Sequence, residues 1–123
     1  MIICDKPNSW KDLQDKVAKI LTQCNFNVEI EKKFESIRSN IEIDVFAIEN
    51  VDERKYQIIC ECKYWNTNIP QLYIHALRTV VSDLGVNIAY IISTSSFQIG
   101  SHKSAELTNV ELLTWDEFQI FFF

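Results

Sequence analysis

Glycine and proline are scarce, with two of each in 123 residues. That scarcity argues against a long flexible linker or a low-complexity tract, and at 47% apolar content the chain can bury a real core. Also missing is any apolar run near the roughly 20 residues needed to cross a bilayer, so no membrane partner is expected. The opening Met1-Ile2-Ile3-Cys4-Asp5-Lys6-Pro7 lacks a basic stretch leading into a long apolar one, which argues against a signal peptide and for a cytoplasmic location. No CxxC spacing occurs among Cys4, Cys24, Cys60 and Cys62, and no histidine stands near the Cys60-Glu61-Cys62 run, so these read as reduced thiols rather than zinc ligands. An excess of positive charge is absent as well: 12 Lys and Arg against 17 Asp and Glu leave a net charge of −5, which weakens autonomous binding to a polyanion. There is no internal repeat and no glycine-rich phosphate loop. Residues 1–123 are read as a single domain, with truncation at the C-terminus left open by its apolar ending.

What is present is a pair of neighbouring apolar runs, Ile41 to Ile48 and Gln57 to Lys63, that alternate like half-buried strands over part of their length. A polar turn separates them. With Val51-Asp52-Glu53-Arg54 as a four-residue hairpin loop, Asn50 opposes Lys55, and the same register sets Asp44 opposite Glu61 and Glu42 opposite Lys63. These charges then share one face, while Ile41, Ile43, Val45, Ala47, Ile58, Cys60 and Cys62 share the other and pack on a core. Facing carboxylates raise each other's cost of ionisation, and a divalent cation removes that cost. Mg²⁺ prefers hard oxygen ligands and commonly takes one or two carboxylates. The alternative is a solvated hairpin end in which Glu42 pairs with Lys63, contributing about 0.2–1 kcal/mol. Taken alone, the residues leave both readings open.

The stretch Ile41-Glu42-Ile43-Asp44-Val45, with Glu61-Cys62-Lys63-Tyr64-Trp65 further on, resembles the D…(D/E)xK core of the PD-(D/E)XK nuclease superfamily, and most closely its Mrr-type restriction endonuclease domains. The resemblance extends over nearly the whole chain: an opening helix containing Leu13-Gln14, the Asp and ExK strands, a helix after Pro70, the strand Ile88 to Ser93 and the segment Phe97 to Glu106. It implies that Asp44 and Glu61 are metal ligands, that the backbone carbonyl of Cys62 adds a third oxygen, and that Lys63 assists the nucleophilic water. Many members carry a glutamate on the first helix facing the metal. The matching position here is Gln14, a neutral amide that orients water but does not act as a base. Asp15 is no direct substitute, because the next helical position points about 100° away.

Elsewhere, Ser9 with Asp12 suggests a capping box, and Trp10, Leu13, Val17, Ile20, Leu21 and Cys24 recur at helical spacing, so a helix is expected over 10–24 with Asn25 as a left-handed cap. A first strand is expected over Phe26 to Lys33. Pro70 suits a first helical turn, Leu72 to Leu84 supply an apolar face, and Gly85 ends that helix. Gln71, His75 and Arg78 share its other side, which either faces solvent or approaches nucleic acid. Ile88 to Ile92 reads as a central strand covered on both faces, and the hydroxyl run Ser93 to Ser96 suits either phosphate contacts or turns and caps. Ser101 opens a short helix through Leu107, Val110 to Leu113 forms a further strand, and Thr114 caps a last helix. The ending Phe118-Gln119-Ile120-Phe121-Phe122-Phe123 is too apolar to stand free in water. It packs on the domain, pairs two copies, or continues into further sequence.

The expected architecture is α/β with a restriction endonuclease-like fold: a mixed central β-sheet flanked by helices. By the resemblance, the expected activity is Mg²⁺-dependent hydrolysis of DNA phosphodiester bonds, with Mn²⁺ able to substitute, in restriction or defence against foreign DNA. Two alternatives remain: a Holliday junction resolvase-like enzyme, and a catalytically weak nucleic-acid or protein interaction module that kept the fold. Cutting both strands calls for two sites, which a homodimer supplies, and specificity calls for an additional fused or partner domain.

Overall fold

The computed structural model describes residues 5–35 and 40–122; Cys4 and Phe123 lie outside them. The elements follow in the order α1 (Trp10–Gln23), β1 (Asn27–Glu35), β2 (Asn40–Val51), β3 (Arg54–Lys63), α2 (Gln71–Leu84), β4 (Ile88–Ser93), α3 (Ile99–Ala105), β5 (Val110–Thr114) and α4 (Trp115–Phe122). The strands form one sheet in sequence order, β1-β2-β3-β4-β5. Its first three strands are antiparallel, and β4 and β5 add to β3 in parallel after the crossovers through α2 and α3. No helix among the described residues is long and apolar enough to cross a membrane.

The helix boundaries follow local chemistry. Ser9 Oγ accepts from Asp12 N at 3.0 Å, while the Asp12 carboxylate reaches back one residue beyond the cap to accept from Asn8 N at 3.1 Å. This is a variant of the expected capping box. The helix ends at Cys24, and Asn25 turns the chain in a left-handed conformation with φ 72°. Gly85 ends α2 the same way at φ 67°, where a side chain would be strained. Thr114 and Glu117 cap α4 reciprocally: Glu117 N donates to Thr114 Oγ1 at 3.2 Å and Thr114 N donates to Glu117 Oε1 at 2.8 Å.

Two cores lie on opposite faces of the sheet. Leu13, Val17, Ile20 and Leu21 of α1, with Trp115 and Phe118 of α4, pack on Val45, Ala47, Ile58, Cys60, Cys62, Tyr90 and Ile92. Ile74, Leu77 and Val81 of α2 pack on Phe46, Ile59, Ala89 and Ile91. Tyr90, Ile91 and Ile92 thus divide between the two cores, as an almost wholly apolar strand covered on both faces must. The C-terminal apolar run packs on the domain through Phe118 and half-buried Phe122, whereas Ile120 and Phe121 remain exposed at 62% and 56%.

Three details of the hairpin correct the reading from sequence. Its loop is two residues long, not four, because Val51 pairs with Arg54 and Asp52 takes the left-handed turn at φ 59°. The register is the expected one, with Asn50 opposite Lys55, but the β2–β3 ladder runs only as far as Val45 and Cys60. The apolar face also changes at Asp44. Ile43, with half-buried Ile41, joins the α2 core, while Val45 and Ala47 remain in the α1 core. On the β1 side, pairing resumes on both sides of this break, Ile30 with Val45 and Lys32 with Ile43. Glu31, between those positions, sits at φ 53°, a left-handed conformation that costs a residue with a Cβ about 1–2 kcal/mol.

Candidate active site

The ladder ends where β2 parts from β3, and Asp44 stands in the fork. Its Oδ2 accepts the Cys62 backbone N–H at 2.8 Å, so the side chain takes over a bond the diverging strand no longer makes. The Cys62 carbonyl also faces this fork. One residue on, the Lys63 carbonyl accepts from Thr94 N of the neighbouring parallel segment at 3.1 Å, and successive carbonyls along a strand point to opposite edges. Asp44 and Glu61 together line a cavity of about 90 Å³ between β2, β3 and α2, closed by Ile43, Ile59 and Leu77. It has room for an ion and some of its water but not for a nucleotide.

Burial raises the Asp44 carboxyl above the usual carboxylate range. The Cys62 N–H opposes that rise, the charge of Glu61 adds to it, Lys63 opposes it, and Glu31 adds again. Glu31 is thus a further carboxylate at this place, and Lys11 reaches it at 3.6 Å. Neither residue was singled out from sequence, because Glu31 meets Asp44 only through the β1–β2 register, which no short motif encodes. Burial also pushes the Cys60 and Cys62 thiols up, so both stay neutral as packing groups rather than anionic metal ligands.

Lys63 is held on two sides. Its Nζ lies 3.3 Å from Glu61 Oε1 and 4.3 Å from the centre of the Tyr73 ring, with the Trp65 ring at 5.6 Å. The two rings meet edge to face at 5.1 Å. Thr94 fixes Trp65 by accepting its N–H and donating to its carbonyl, each at 3.0 Å. A cation over aromatic faces gains about 0.5–2 kcal/mol, more as water is excluded, and the Lys63 side chain is only 14% exposed. The Glu42–Lys63 pair of the alternative, solvated-hairpin reading does not form: β2 has left β3 before Glu42 comes opposite Lys63, Glu42 is exposed, and Glu61 on the same strand takes the amine.

Gln14 is completely buried on α1. Its Oε1 accepts from Lys11 Nζ at 3.0 Å, and Lys11 in turn reaches Glu31, whose charge acts on Asp44, so Gln14 is linked to the fork indirectly, from the α1 face of the sheet. Its Nε2 has no hydrogen-bond partner among the described residues. An unanswered buried donor costs about 1–3 kcal/mol. Gln14→Met, which keeps the volume and removes that donor, is therefore expected to leave urea stability unchanged or raise it by about 1 kcal/mol. A loss of about 2 kcal/mol would mean that the amide is satisfied in solution.

The α2 residues divide by face. Tyr73 contacts Lys63, and Ala76, Leu77 and Val80 line the Asp44–Glu61 cavity. His75 and Arg78 instead share an open hollow with Thr79 and Ser82, while Gln71 accepts from Ser104 Oγ at 3.3 Å beside α3. Those three are not brought to the carboxylates. The hydroxyl run after β4 is largely occupied with its own turn, Ser95 N donating to Ser93 Oγ at 2.9 Å and Thr94 pinning Trp65.

The donor set suits a hard divalent cation. Two carboxylates and a backbone carbonyl offer only oxygen, and a carboxyl held above its usual range by burial and a neighbouring acid is one a cation would return to its anionic form. Among the described residues no cluster of three or more Asp, Glu, His or Cys side chains could hold a metal, so water and substrate oxygens would have to complete the shell.

A mixed five-stranded sheet flanked by helices, with an Asp at the fork and Glu-x-Lys on the adjoining strand, defines a restriction endonuclease-like fold. Residues 6–121 match the Mrr-type catalytic-domain family described as restriction endonuclease, and the chain belongs to that family. No curated protein matches the sequence. Among solved structures, the protein of unknown function AF1548 is similar at 22% identity and a TM-score of 0.64, over 84% of this chain and 56% of that one. VC1899 from Vibrio cholerae is similar at 16% identity and a TM-score of 0.61, over 89% of this chain and 31% of that one. The DNA modification-dependent restriction endonuclease AspBHI is similar at 8% identity and a TM-score of 0.57, over 96% of this chain and 38% of that one. At these identities the likeness is one of fold, and the chain spans between 31% and 56% of the length of these proteins.

Proposed function

We propose that this chain is a Mg²⁺-dependent endonuclease domain that hydrolyses DNA phosphodiester bonds, with Mn²⁺ able to replace Mg²⁺, in restriction or defence against foreign DNA. The observation that carries this reading is the convergence of Asp44, Glu61 and the edge of Cys62 on one fork, with Lys63 beside Glu61. Asp44, Glu61 and the Cys62 carbonyl would hold the ion, and a bound Mg²⁺ would supply a water of lowered pKa and positive charge against the phosphate oxygens. Lys63, a donor-only ammonium steadied by Glu61 and two aromatic rings, donates to a non-bridging phosphate oxygen or orients the attacking water. Gln14 supports the Asp44 side through Lys11 and Glu31, and as an amide it does not act as a base. His75 and Arg78, exposed on α2, are available to the DNA backbone further from the reacting phosphate. A homodimer, which would supply two sites for cutting both strands, belongs to the same proposal, and so does an additional specificity domain, in keeping with a chain that spans only 31–56% of its structural neighbours.

The experiment is cleavage of supercoiled plasmid with Mg²⁺ or Mn²⁺. The native chain is expected to nick or linearise it, and Lys63→Ala to lower the rate about 10²–10³-fold while DNA binding persists. Binding by the native chain without cleavage under either metal would favour the interaction module instead. Gln14 in place of an acid and the net charge of −5 are the features that speak for that second reading.

A further inference from the structure

Glu61 serves two partners that compete. Its Oε1 lies 3.3 Å from Lys63 Nζ, and its carboxylate also lines the cavity beside Asp44. A divalent cation held there would balance the two carboxylates, and their pull on the Lys63 ammonium falls as the net charge approaches zero. The rings beside Lys63 have no charge to lose. Their attraction comes from the electron-rich ring face, with Tyr73 the nearer at 4.3 Å and Trp65 at 5.6 Å. Both rings are anchored away from the carboxylates. Thr94, just past β4, holds the backbone of Trp65. Tyr73 stands in the first turn of α2, which follows the completely buried Ile69. Ile69 N donates to the Ser96 carbonyl at 3.0 Å, and the Ile69 carbonyl accepts from Gln98 N at 3.0 Å and from Ser101 Oγ at 2.7 Å. Both rings also pack on the α2 core, so balancing the charge in the fork does not release them. Their hold has a kinetic consequence. Lysine carries its charge on a flexible four-carbon stem, and a misplacement of about 1 Å at a reacting group can cost about 10²-fold in rate.

We propose that Tyr73 is the positioning residue for Lys63: its ring face keeps the ammonium at the site once the charge of Glu61 is balanced. The consequence for the rate rests on the nuclease reading, but the hold itself is measurable without metal or DNA. Glu61→Gln removes the competing charge and stands in for its neutralisation. With Lys63 Nζ over the Tyr73 ring, the ring current shifts the adjoining ε-methylene protons upfield. Lys32 lies over Phe34 in the same way, so Lys63→Arg identifies the relevant proton–carbon signal. Glu61→Gln is expected to keep that signal upfield, and Glu61→Gln combined with Tyr73→Leu to return it toward the range of the exposed lysines. In plasmid cleavage with Mg²⁺, Tyr73→Leu should lower kcat about 10–100-fold while KM for DNA and the affinity for Mg²⁺ stay within about twofold, and Tyr73→Phe should keep most of the native rate. Phenylalanine with one, two and three ring fluorines at position 73 keeps the shape while draining the ring face, so kcat should fall with each fluorine. A ring that only fills space gives no such trend. A Lys63 signal that leaves the upfield range in Glu61→Gln alone, or that stays there in the double variant, overturns the proposal, as does a kcat indifferent to fluorination. A signal held by Tyr73 in a chain that fails to cut supports the hold on Lys63 and counts against the nuclease.

Discussion

Asp44→Asn is expected to abolish metal-dependent DNA cleavage, a loss of at least about 10²–10³-fold, and at the same time to leave the metal-free protein as stable as the native chain or more so. The two effects have one origin. The carboxyl at this position sits above its usual range because burial and the charge of Glu61 disfavour its anion, and the Cys62 N–H compensates only in part. An asparagine oxygen still accepts that N–H, so the fork survives while the disfavoured charge is gone. A raised carboxyl contributes stability that is full below the unfolded carboxylate pKa and lost as pH rises through the folded value. The metal-free native chain should therefore lose stability across that window relative to Asp44→Asn. Asp12, lowered by its hydrogen bond to Lys16, works in the opposite sense in both proteins and cancels in the comparison. Mg²⁺ at about 100 times its dissociation constant should stabilise the native chain by about 2.7 kcal/mol and leave Asp44→Asn unaffected. Denaturation curves with and without Mg²⁺ at several pH values read all of this. Equal stabilisation of both proteins by Mg²⁺ would remove Asp44 from the metal site.

Phe118→Ala is expected to cost about 3–5 kcal/mol. Phe118 is completely buried and stacks with Trp115 at 6.1 Å and against Phe122 at 5.0 Å, on the α1 core around Leu13, Val17 and Leu21. Domains of this kind are stable by about 5–15 kcal/mol, so the variant should show a much lower urea midpoint or remain partly unfolded. Ile120, two residues on and about 200° around the helix, is 62% exposed and provides the control: Ile120→Ser should change stability by about 0.5 kcal/mol or less. A large loss from Ile120→Ser would show that the outer face of α4 is covered in solution.

The helices and strands were legible because their signals are local. Ser9, Asn25, Pro70, Gly85 and Thr114 each stand where a helix begins or ends, and the unbroken apolar run of β4 marks it as central. The pairing of Asn50 with Lys55 was legible as well, since a short polar turn leaves few registers open. Glu31, Lys11 and Tyr73 were not legible as neighbours of the site. Glu31 reaches Asp44 through a strand pairing, and Tyr73 reaches Lys63 through the way α2 docks. The loop length was misread because Asp52 accepts a left-handed backbone, which shortens the turn without changing the register.

Periodicity, caps and the Glu61-Cys62-Lys63 tripeptide settle the order of elements, the family and the residue types available for chemistry, since each depends on residues close together in the chain. Where β2 leaves β3, and therefore that Asp44 turns inward to the Cys62 N–H while Ile43 crosses to the α2 core, is settled by packing. Two helix layers compete for the same strand, and only their joint fit to both faces of the sheet determines which side chain stays in the fork.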